Sequence, residues 1–131
     1  MAQGMFGKAL QEINSDRFHV QSAGLSALTG EPADRIAQTL MSSQGIDITG
    51  HRAQQLDREL LQWADLILTM ERSHTEAIEA MEPTVRGKVY RVGKWDDFDV
   101  PDPYGRPRQA FEQAAQLITI GIKQWLPRLV Q

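Results

Sequence analysis

The sequence predicts an α/β domain in which a parallel sheet carries helices on both faces. Patterns typical of helices and of short strands alternate along the chain, and such connections join parallel strands through right-handed crossovers. Leu66-Ile67-Leu68 is a continuous apolar run of strand length, which is typical of a strand covered on both faces. The length of 131 residues suits one compact core, so we expect a single domain over residues 1–131.

The first half of the chain predicts three helices and one strand. Apolar residues at helical spacing indicate a first helix that ends near Ile13, and the alternation from Arg17 to Ser22 indicates a short strand. Asp34 and Asp57 are candidate N-caps of the second and third helices, and Gly45 follows the second where left-handed backbone is favoured. The apolar residues expected on these two helices are Ile36, Ala37, Leu40 and Met41 on the second and Leu60, Leu61 and Trp63 on the third.

Beyond the apolar run at 66–68, the second half predicts one more strand and two helices. Lys88 to Val92 has the composition of a strand. Ser73 and Glu76 fit an S-x-x-E capping box at the start of a helix that Pro83 must end. The final helix has apolar residues three and four positions apart, and we expect Pro127 to break or kink its last turn.

Polar loops are expected to meet at one edge of the sheet. In open parallel sheets the ligand crevice lies outside the carboxyl ends of the strands, so the loops that start at Ser22, Glu71 and Gly93 should share one rim. Residues 93–107 are polar and rich in proline, which predicts a long loop of the kind that is often functional. Chemistry is therefore expected among the side chains of these loops.

Asp102 is the candidate catalytic residue of the rim. It lies in Pro101-Asp102-Pro103-Tyr104, where the two prolines hold the backbone extended and aim the carboxylate. A carboxylate aimed in this way beside the ring of Tyr104 suits general acid catalysis. For the neighbouring Asp96, Asp97 and Asp99 we expect hydrogen bonds to nearby backbone amides, the usual behaviour of aspartates in turns.

The remaining reactive side chains predict neither a metal site nor a nucleophile. The chain has no cysteine, which excludes a thiolate nucleophile, a disulfide and thiolate-ligated zinc within these residues. His19, His51 and His74 do not have a recognised metal-ligand spacing, and no cofactor motif is present. Ser22 lacks the G-x-S-x-G context of a nucleophilic serine.

Composition limits the partners. The formal charge of -3 and the pI of about 5.6 leave no basic footprint, so we expect no nucleic-acid partner. No apolar run approaches the length of a spanning helix and no signal peptide is evident, so we expect a cytoplasmic protein without membrane insertion.

Several segments together resemble the bacterial low-molecular-weight protein tyrosine phosphatases, in the family's order and with similar separations. The stretch from Trp95 to Tyr104 is most similar to the branch that serves capsule and exopolysaccharide systems. The matching segments are Gln21-Ser22-Ala23-Gly24-Leu25, Gly50-His51-Arg52-Ala53-Gln54-Gln55-Leu56, Ala64-Asp65-Leu66-Ile67-Leu68-Thr69-Met70-Glu71, Arg86-Gly87-Lys88-Val89 and Pro101-Asp102-Pro103-Tyr104.

The resemblance implies a four-stranded parallel sheet and hydrolysis of phosphate monoesters without a metal or other cofactor. In the family a C-x5-R loop supplies a thiolate that attacks phosphorus, together with amides and an arginine that hold the phosphoryl oxygens. The aspartate of the D-P-Y segment, here Asp102, protonates the departing tyrosine, and Tyr104 corresponds to an aromatic wall for the substrate ring. The implied partner is a phosphotyrosine protein, such as a bacterial tyrosine kinase of the polysaccharide machinery.

The chain departs from the family pattern at its start. Met1 to Phe6 resembles the stretch immediately after the phosphate-binding loop, so we expect a domain that is N-terminally truncated relative to the family, without the first strand, the nucleophile and the arginine. The chain as given is then expected to be inactive, because the main electrostatic stabilisation of the transition state is missing. The alternative is a non-catalytic binding or regulatory module with the same fold.

The same departure predicts self-association. The family's first strand is central in the sheet, between the segments at 17–22 and 65–70, so its absence leaves inner strand edges exposed. We therefore expect a homo-oligomer or an exchange of strands through these edges.

Overall fold

The computed structural model describes residues 1–13 and 17–129, and helices account for most of its regular structure. The elements within those residues are α1 (Ala2–Glu12), α2 (Arg35–Ser43), α3 (Arg58–Trp63), β1 (Ile67–Thr69), α4 (Arg72–Met81), β2 (Val89–Arg91) and α5 (Arg108–Leu129), with short 3₁₀ turns at Pro83–Val85 and Lys94–Asp96.

β1 and β2 pair in parallel and form the sheet of the described residues. Ile67 lies opposite Val89 and Leu68 lies opposite Tyr90. The backbone N–H of Ile67 donates to the carbonyl of Lys88 over 2.8 Å. The two strands predicted around 66–68 and 88–92 are therefore confirmed, and their register places successive residue pairs on opposite faces of the sheet.

Helices cover both faces of this sheet. Leu68 and Tyr90 pack against a core formed mainly by α1, α2 and α5, whereas Ile67 and Val89 belong to a smaller cluster formed by α3, α4 and the turn at 83–85. The predicted fold class, an α/β arrangement of helix, parallel sheet and helix, is confirmed.

The strand predicted over Arg17–Ser22 is wrong, because the described residues of this segment form no strand. Its carbonyl groups bind side chains instead of a neighbouring strand. The carbonyl of Val20 accepts from Gln3 Nε2 over 3.3 Å, and that of Ser22 accepts from Gln54 Nε2 over 2.9 Å. Alternating polarity favours an extended segment, but a strand also needs a main-chain partner alongside it, which local sequence cannot supply.

The predicted caps of α2 and α3 are confirmed. Asp34 accepts from the N–H of Ile36 over 2.8 Å, and Asp57 accepts from the N–H of Leu60 over 2.9 Å. Gly45, just after α2, has a φ of 76°, the left-handed conformation that favours glycine.

The predicted cap of α4 is wrong, because the capping box consists of Glu71 and His74, and not of Ser73 and Glu76. The Glu71 carboxylate accepts from the N–H of His74, and His74 Nδ1 accepts from the N–H of Glu71 over 3.3 Å. The backbone is still extended at Glu71, with φ −128° and ψ 154°, and the helix begins at the next residue. Ser73 therefore already lies inside the first turn.

α5 is the longest helix of the described chain and lies against the end of β2. Contrary to the predicted break, it continues through Pro127 to Leu129, because a proline in the last turn removes only one helical hydrogen bond. The indole Nε1 of Trp125 donates to the carbonyl of Val92 over 3.1 Å. Gly121 permits this approach, since a Cβ there would lie 2.7 Å from the Val92 carbonyl oxygen and nearer still to Val92 Cγ1. No helix in the described ranges is long and apolar enough to cross a membrane.

Candidate functional site

A cleft of about 930 Å³ opens between the extended segment at 18–23 and the end of β1. Its apolar lining includes Phe111, Ala114 and Ile118, which are buried residues of α5. Polar groups from the predicted rim also reach it, because Ser22, His74, Asp102 and Tyr104 all line this cleft. The structure thus brings together residues from each of the three loop regions that the sequence placed on one rim.

Asp102 and Tyr104 lie on the cleft wall that the proline-rich loop supplies, and both are exposed. Asp102 Oδ1 accepts from the backbone N–H of Tyr104 over 3.0 Å, which closes a turn over two residues and fixes the carboxylate relative to its own backbone. The ring of Tyr104 is 66% exposed. An acid and an aromatic ring therefore stand side by side where a substrate entering the cleft would meet them.

The turn bonding predicted for Asp96, Asp97 and Asp99 is wrong. Asp97 and Asp99 pair with the Arg91 guanidinium, Asp99 at 3.0 Å, while Asp96 accepts from Gln124 Nε2 over 2.9 Å. The hydrogen bond from Arg91 is the main reason that the pKa of Asp97 lies below its usual value. Only 14% of the Arg91 side chain at the end of β2 is exposed. A charged group buried to this extent is stabilised by carboxylate partners, and this pairing is stronger than hydrogen bonds from turn amides to the aspartates.

Arg91 is the residue of this region that sequence reasoning missed. It belongs to the predicted strand at 88–92, and no role was predicted for its side chain. The available signal was the run of aspartates that starts five residues later, since charges of opposite sign close together in sequence can fold back on one another.

The other polar residues of the rim have structural partners. Ser22 Oγ donates to Gln3 Oε1 over 2.6 Å, so its hydroxyl is bound to an amide oxygen and not to a base. Both ring nitrogens of His74 contact Glu71, with Nε2 lying 3.2 Å from its carboxylate. Burial is the main cause that lowers the pKa of His51, which also lines the cleft. In the ranges that the structure describes, no three His, Cys, Asp or Glu side chains are grouped to hold a metal.

The charged side chains that line the cleft are mainly acidic. Among the described residues, the charged side chains other than histidine that line it are carboxylates, Glu31, Asp34, Asp47 and Asp102. Hydrogen bonds from Thr49 lower the pKa of Asp47. A phosphate dianion is attracted by cations and by amide N–H groups, so the four carboxylates oppose its binding, whereas the Met1 ammonium and the first amides of α1 in the same lining favour it.

The structure is a three-layer α/β fold in which Asp102 and Tyr104 line a cleft at the carboxyl end of the sheet. The sequence profile of the family described as "Low molecular weight phosphotyrosine protein phosphatase" matches residues 1–131, and the chain belongs to this family. The family resemblance predicted from the sequence is confirmed.

Individual relatives support the same assignment. The chain is 41% identical over 129 residues to the probable low molecular weight protein-tyrosine-phosphatase EpsP of Ralstonia nicotianae, covering 98% of this chain and 86% of the relative. It is 40% identical over 118 residues to the low molecular weight protein-tyrosine-phosphatase Wzb of Escherichia coli K12, covering 86% and 80% of the two chains. The solved structure of Vibrio vulnificus Wzb in complex with benzylphosphonate superposes with a TM-score of 0.88 at 35% identity, covering 97% of this chain and 87% of that one.

Proposed function

We propose that this chain contributes the leaving-group side of a protein tyrosine phosphatase site, with Asp102 as general acid and Tyr104 as the wall for the substrate ring. The observation that carries the proposal is that the family match spans residues 1–131 while Asp102 and Tyr104 line the cleft at the end of β1. We treat these residues as one phosphatase-like domain. The two cores on opposite faces of one sheet support a single domain.

In this role the Asp102 carboxyl group donates its proton to the phenolic oxygen of the tyrosine as the bond from phosphorus to that oxygen breaks. A phenolate is a poor leaving group at neutral pH, so protonation in the transition state accelerates its departure. The turn that Asp102 forms with the N–H of Tyr104 supports this role, because a donor must be held in position to act in the transition state.

The chain as given is proposed to be inactive on phosphotyrosine. With no cysteine it has no thiolate to attack phosphorus, and a serine bonded to an amide does not replace one. The acidic lining of the cleft also opposes binding of the phosphoryl group, whose charge must be stabilised in the transition state. Asp102 can assist only a reaction whose nucleophile comes from a segment carrying C-x5-R.

We propose a phosphorylated tyrosine kinase of a capsule or exopolysaccharide system as the substrate in a form that carries the nucleophile. The support is the likeness of Trp95 to Tyr104 to that branch of the family.

The proposal is tested by comparing two proteins. The chain alone is expected to give no turnover of p-nitrophenyl phosphate or phosphotyrosine, and a form extended at its N-terminus by a family segment with C-x5-R is expected to turn over both. In the extended form, Asp102→Asn should lower kcat for phosphotyrosine by about a hundredfold or more with little change in KM. The loss should be smaller for p-nitrophenyl phosphate, because its better leaving group needs the proton less.

Asp47→Asn is the matched control for this experiment, since it removes a carboxylate from the same cleft lining without changing the proposed acid. Equal losses in the two variants, or a loss that does not depend on the leaving group, would contradict proton donation by Asp102. Turnover by the chain alone would refute its proposed inactivity. An extended form that folds but remains inactive would favour the alternative, a non-catalytic binding or regulatory module.

We also propose self-association through the edge of β1 that faces away from β2. The N–H of Ile67 and the carbonyl of Thr69 bond to residues flanking and following β2, so the main-chain groups of Leu68 between them point to the opposite edge. An edge of this kind can pair with another strand. Light scattering of the purified chain at micromolar concentration should give a mass above that of the monomer, and a monomer alone would contradict the proposal.

A further inference from the structure

We propose that Arg91 is a positioning residue for Asp102, acting through Asp97 and Asp99 to fix the loop that carries the acid. The inference deepens the proposed function, since it rests on the role proposed for Asp102. It names a residue far from that carboxylate in sequence and on a different element of the fold.

Arg91 ends β2 and connects to the loop through two carboxylates. Its Nη1 donates to Asp99 Oδ1 over 3.0 Å, and its Nη2 pairs with Asp97 Oδ1. A second arginine joins from α4, because Arg72 Nη2 lies 3.0 Å from Asp97 Oδ1 and the Arg72 backbone N–H donates to Asp99 Oδ1 over 3.0 Å. The end of β2, the start of α4 and the loop therefore meet in one group of four charges, which we call the arginine clamp.

The loop segment held by the clamp is tightly closed. The N–H of Phe98 donates to the carbonyl of Gly93 over 3.1 Å, and a Cβ at Gly93 would overlap the Phe98 carbonyl oxygen. Asp97 has a φ of 53°, an uncommon conformation for a residue with a side chain. Such a backbone persists when surrounding contacts determine it, and the arginine clamp supplies those contacts to Asp97.

A short segment with restricted backbone connects the clamped part of the loop to Asp102. Val100, directly after Asp99, is 2% exposed, and its N–H donates to the carbonyl of Met70 over 2.8 Å. Pro101 then fixes its own φ, and Pro103 restricts the residue before it to extended backbone. Asp102 thus lies three residues after Asp99, and few backbone dihedral angles between them can rotate freely. A displacement of Asp99 therefore moves Asp102.

The clamp needs the shape of arginine as well as its charge. Two carboxylates on different residues are bridged by separate nitrogens of one planar guanidinium, whereas a lysine presents a single compact ammonium group. Arg91→Lys is therefore expected to restore part of the order that Arg91→Met removes.

The test measures how well the loop at residues 93–107 is ordered in the 131-residue chain, and it does not depend on catalytic activity. Hydrogen exchange and NMR spectra are recorded for the native chain, Arg91→Met, Arg91→Lys and the control Arg86→Met. Arg86 pairs with Glu79 over 3.4 Å outside the clamp. In Arg91→Met we expect the amides of Phe98, Val100 and Tyr104 to exchange roughly tenfold faster relative to the amides of α5.

The same spectra report on the acid itself. The carboxyl ¹³C resonance of Asp102 should shift in Arg91→Met, return partly in Arg91→Lys and stay in place in Arg86→Met. A general loss of stability would instead accelerate exchange in α5 and in the loop together. If Arg91→Met does not fold, Asp99→Asn removes one of the two carboxylate charges on the loop side of the clamp and is expected to give a selective change in the same direction.

Unchanged exchange at residues 98–104, uniform acceleration across the chain, or an unmoved Asp102 resonance would overturn the inference. These outcomes are independent of turnover. Failure of the proposed function would appear only in the assays of the extended form, so the two failures are distinguishable.

Discussion

Replacing a helical glycine by alanine is predicted to have opposite effects on stability at Gly7 and at Gly121. Alanine stabilises the interior of a helix by about 0.5–1 kcal/mol relative to glycine, when its methyl group has room. At Gly7 on α1 nothing lies within 4 Å of the new Cβ. At Gly121 on α5 the Cβ would lie 2.7 Å from the Val92 carbonyl oxygen and closer still to Val92 Cγ1.

The Gly121 methyl group cannot be accommodated by a small local shift. Val92 is 0% exposed, and its carbonyl is held by Trp125, so α5 or the end of β2 must move. Forcing an extra carbon into a packed core costs about 1–3 kcal/mol, which exceeds the gain in helix propensity. Gly121→Ala should therefore lower the free energy of unfolding by about 1–2 kcal/mol, while Gly7→Ala raises it by up to about 1 kcal/mol.

Urea denaturation of both variants at 25 °C measures the difference, which should be about 1–3 kcal/mol in total. The slopes of the two transitions should match that of the native chain, so that the midpoints report stability. If Gly121→Ala is as stabilising as Gly7→Ala, the close approach of α5 to β2 is wrong. The placement of the loop that follows β2 would then be wrong as well.

Three further outcomes are expected. Lys88 Nζ donates to the carbonyls of Leu61 and Ala64 over 2.7 and 2.6 Å at the end of α3. Lys88→Met should therefore lower the free energy of unfolding by about 1–3 kcal/mol in urea denaturation. An unchanged midpoint would contradict these hydrogen bonds. The pKa of Asp97 lies below its usual value of 3.8, chiefly because of the hydrogen bond from Arg91. The stabilisation from this pair is therefore present above that value and is lost as pH falls through the lower pKa of the folded chain. The carboxyl ¹³C resonance of Asp97, followed on acidification, should titrate with a midpoint below pH 3.8, and a midpoint at or above that value would contradict the pairing. The solved structure of the Vibrio vulnificus relative contains benzylphosphonate. We expect calorimetry to detect no saturable binding of this compound to the present chain at millimolar concentration, because four carboxylates line the cleft. A saturable isotherm would refute the conclusion that these carboxylates oppose a phosphonate.

The elements that could be predicted from the sequence have their signals within a few residues. Asp34 and Asp57 cap helices as expected, because the cap side chain and the amides it accepts from are two or three positions apart. The apolar run at 66–68 identifies a strand covered on both faces for the same reason. The family resemblance and the place of Asp102 between prolines were also available from the sequence.

The errors at 17–22 and at Asp97 and Asp99 concern groups whose partners include residues distant along the chain. The segment at 17–22 has the alternation of a strand, but its carbonyls bond to Gln3 and Gln54. Asp97 and Asp99 have the composition of turn residues, yet the group they bind also includes Arg72, 25 positions from Asp97 and 27 from Asp99. The local sequence pattern cannot show whether an aspartate bonds to a turn amide or to a guanidinium that only folding brings near it.

By itself the sequence determined the fold class, the caps of α2 and α3, the family and the lack of a thiolate nucleophile among these residues, since each depends on residue type and short spacing. Tertiary structure alone decided that four carboxylates line the cleft and that Arg91 and Arg72 hold the loop before Asp102. The physical reason is that charge pairing and strand pairing depend on distances in space, and those distances are set only when the helices pack against both faces of the sheet.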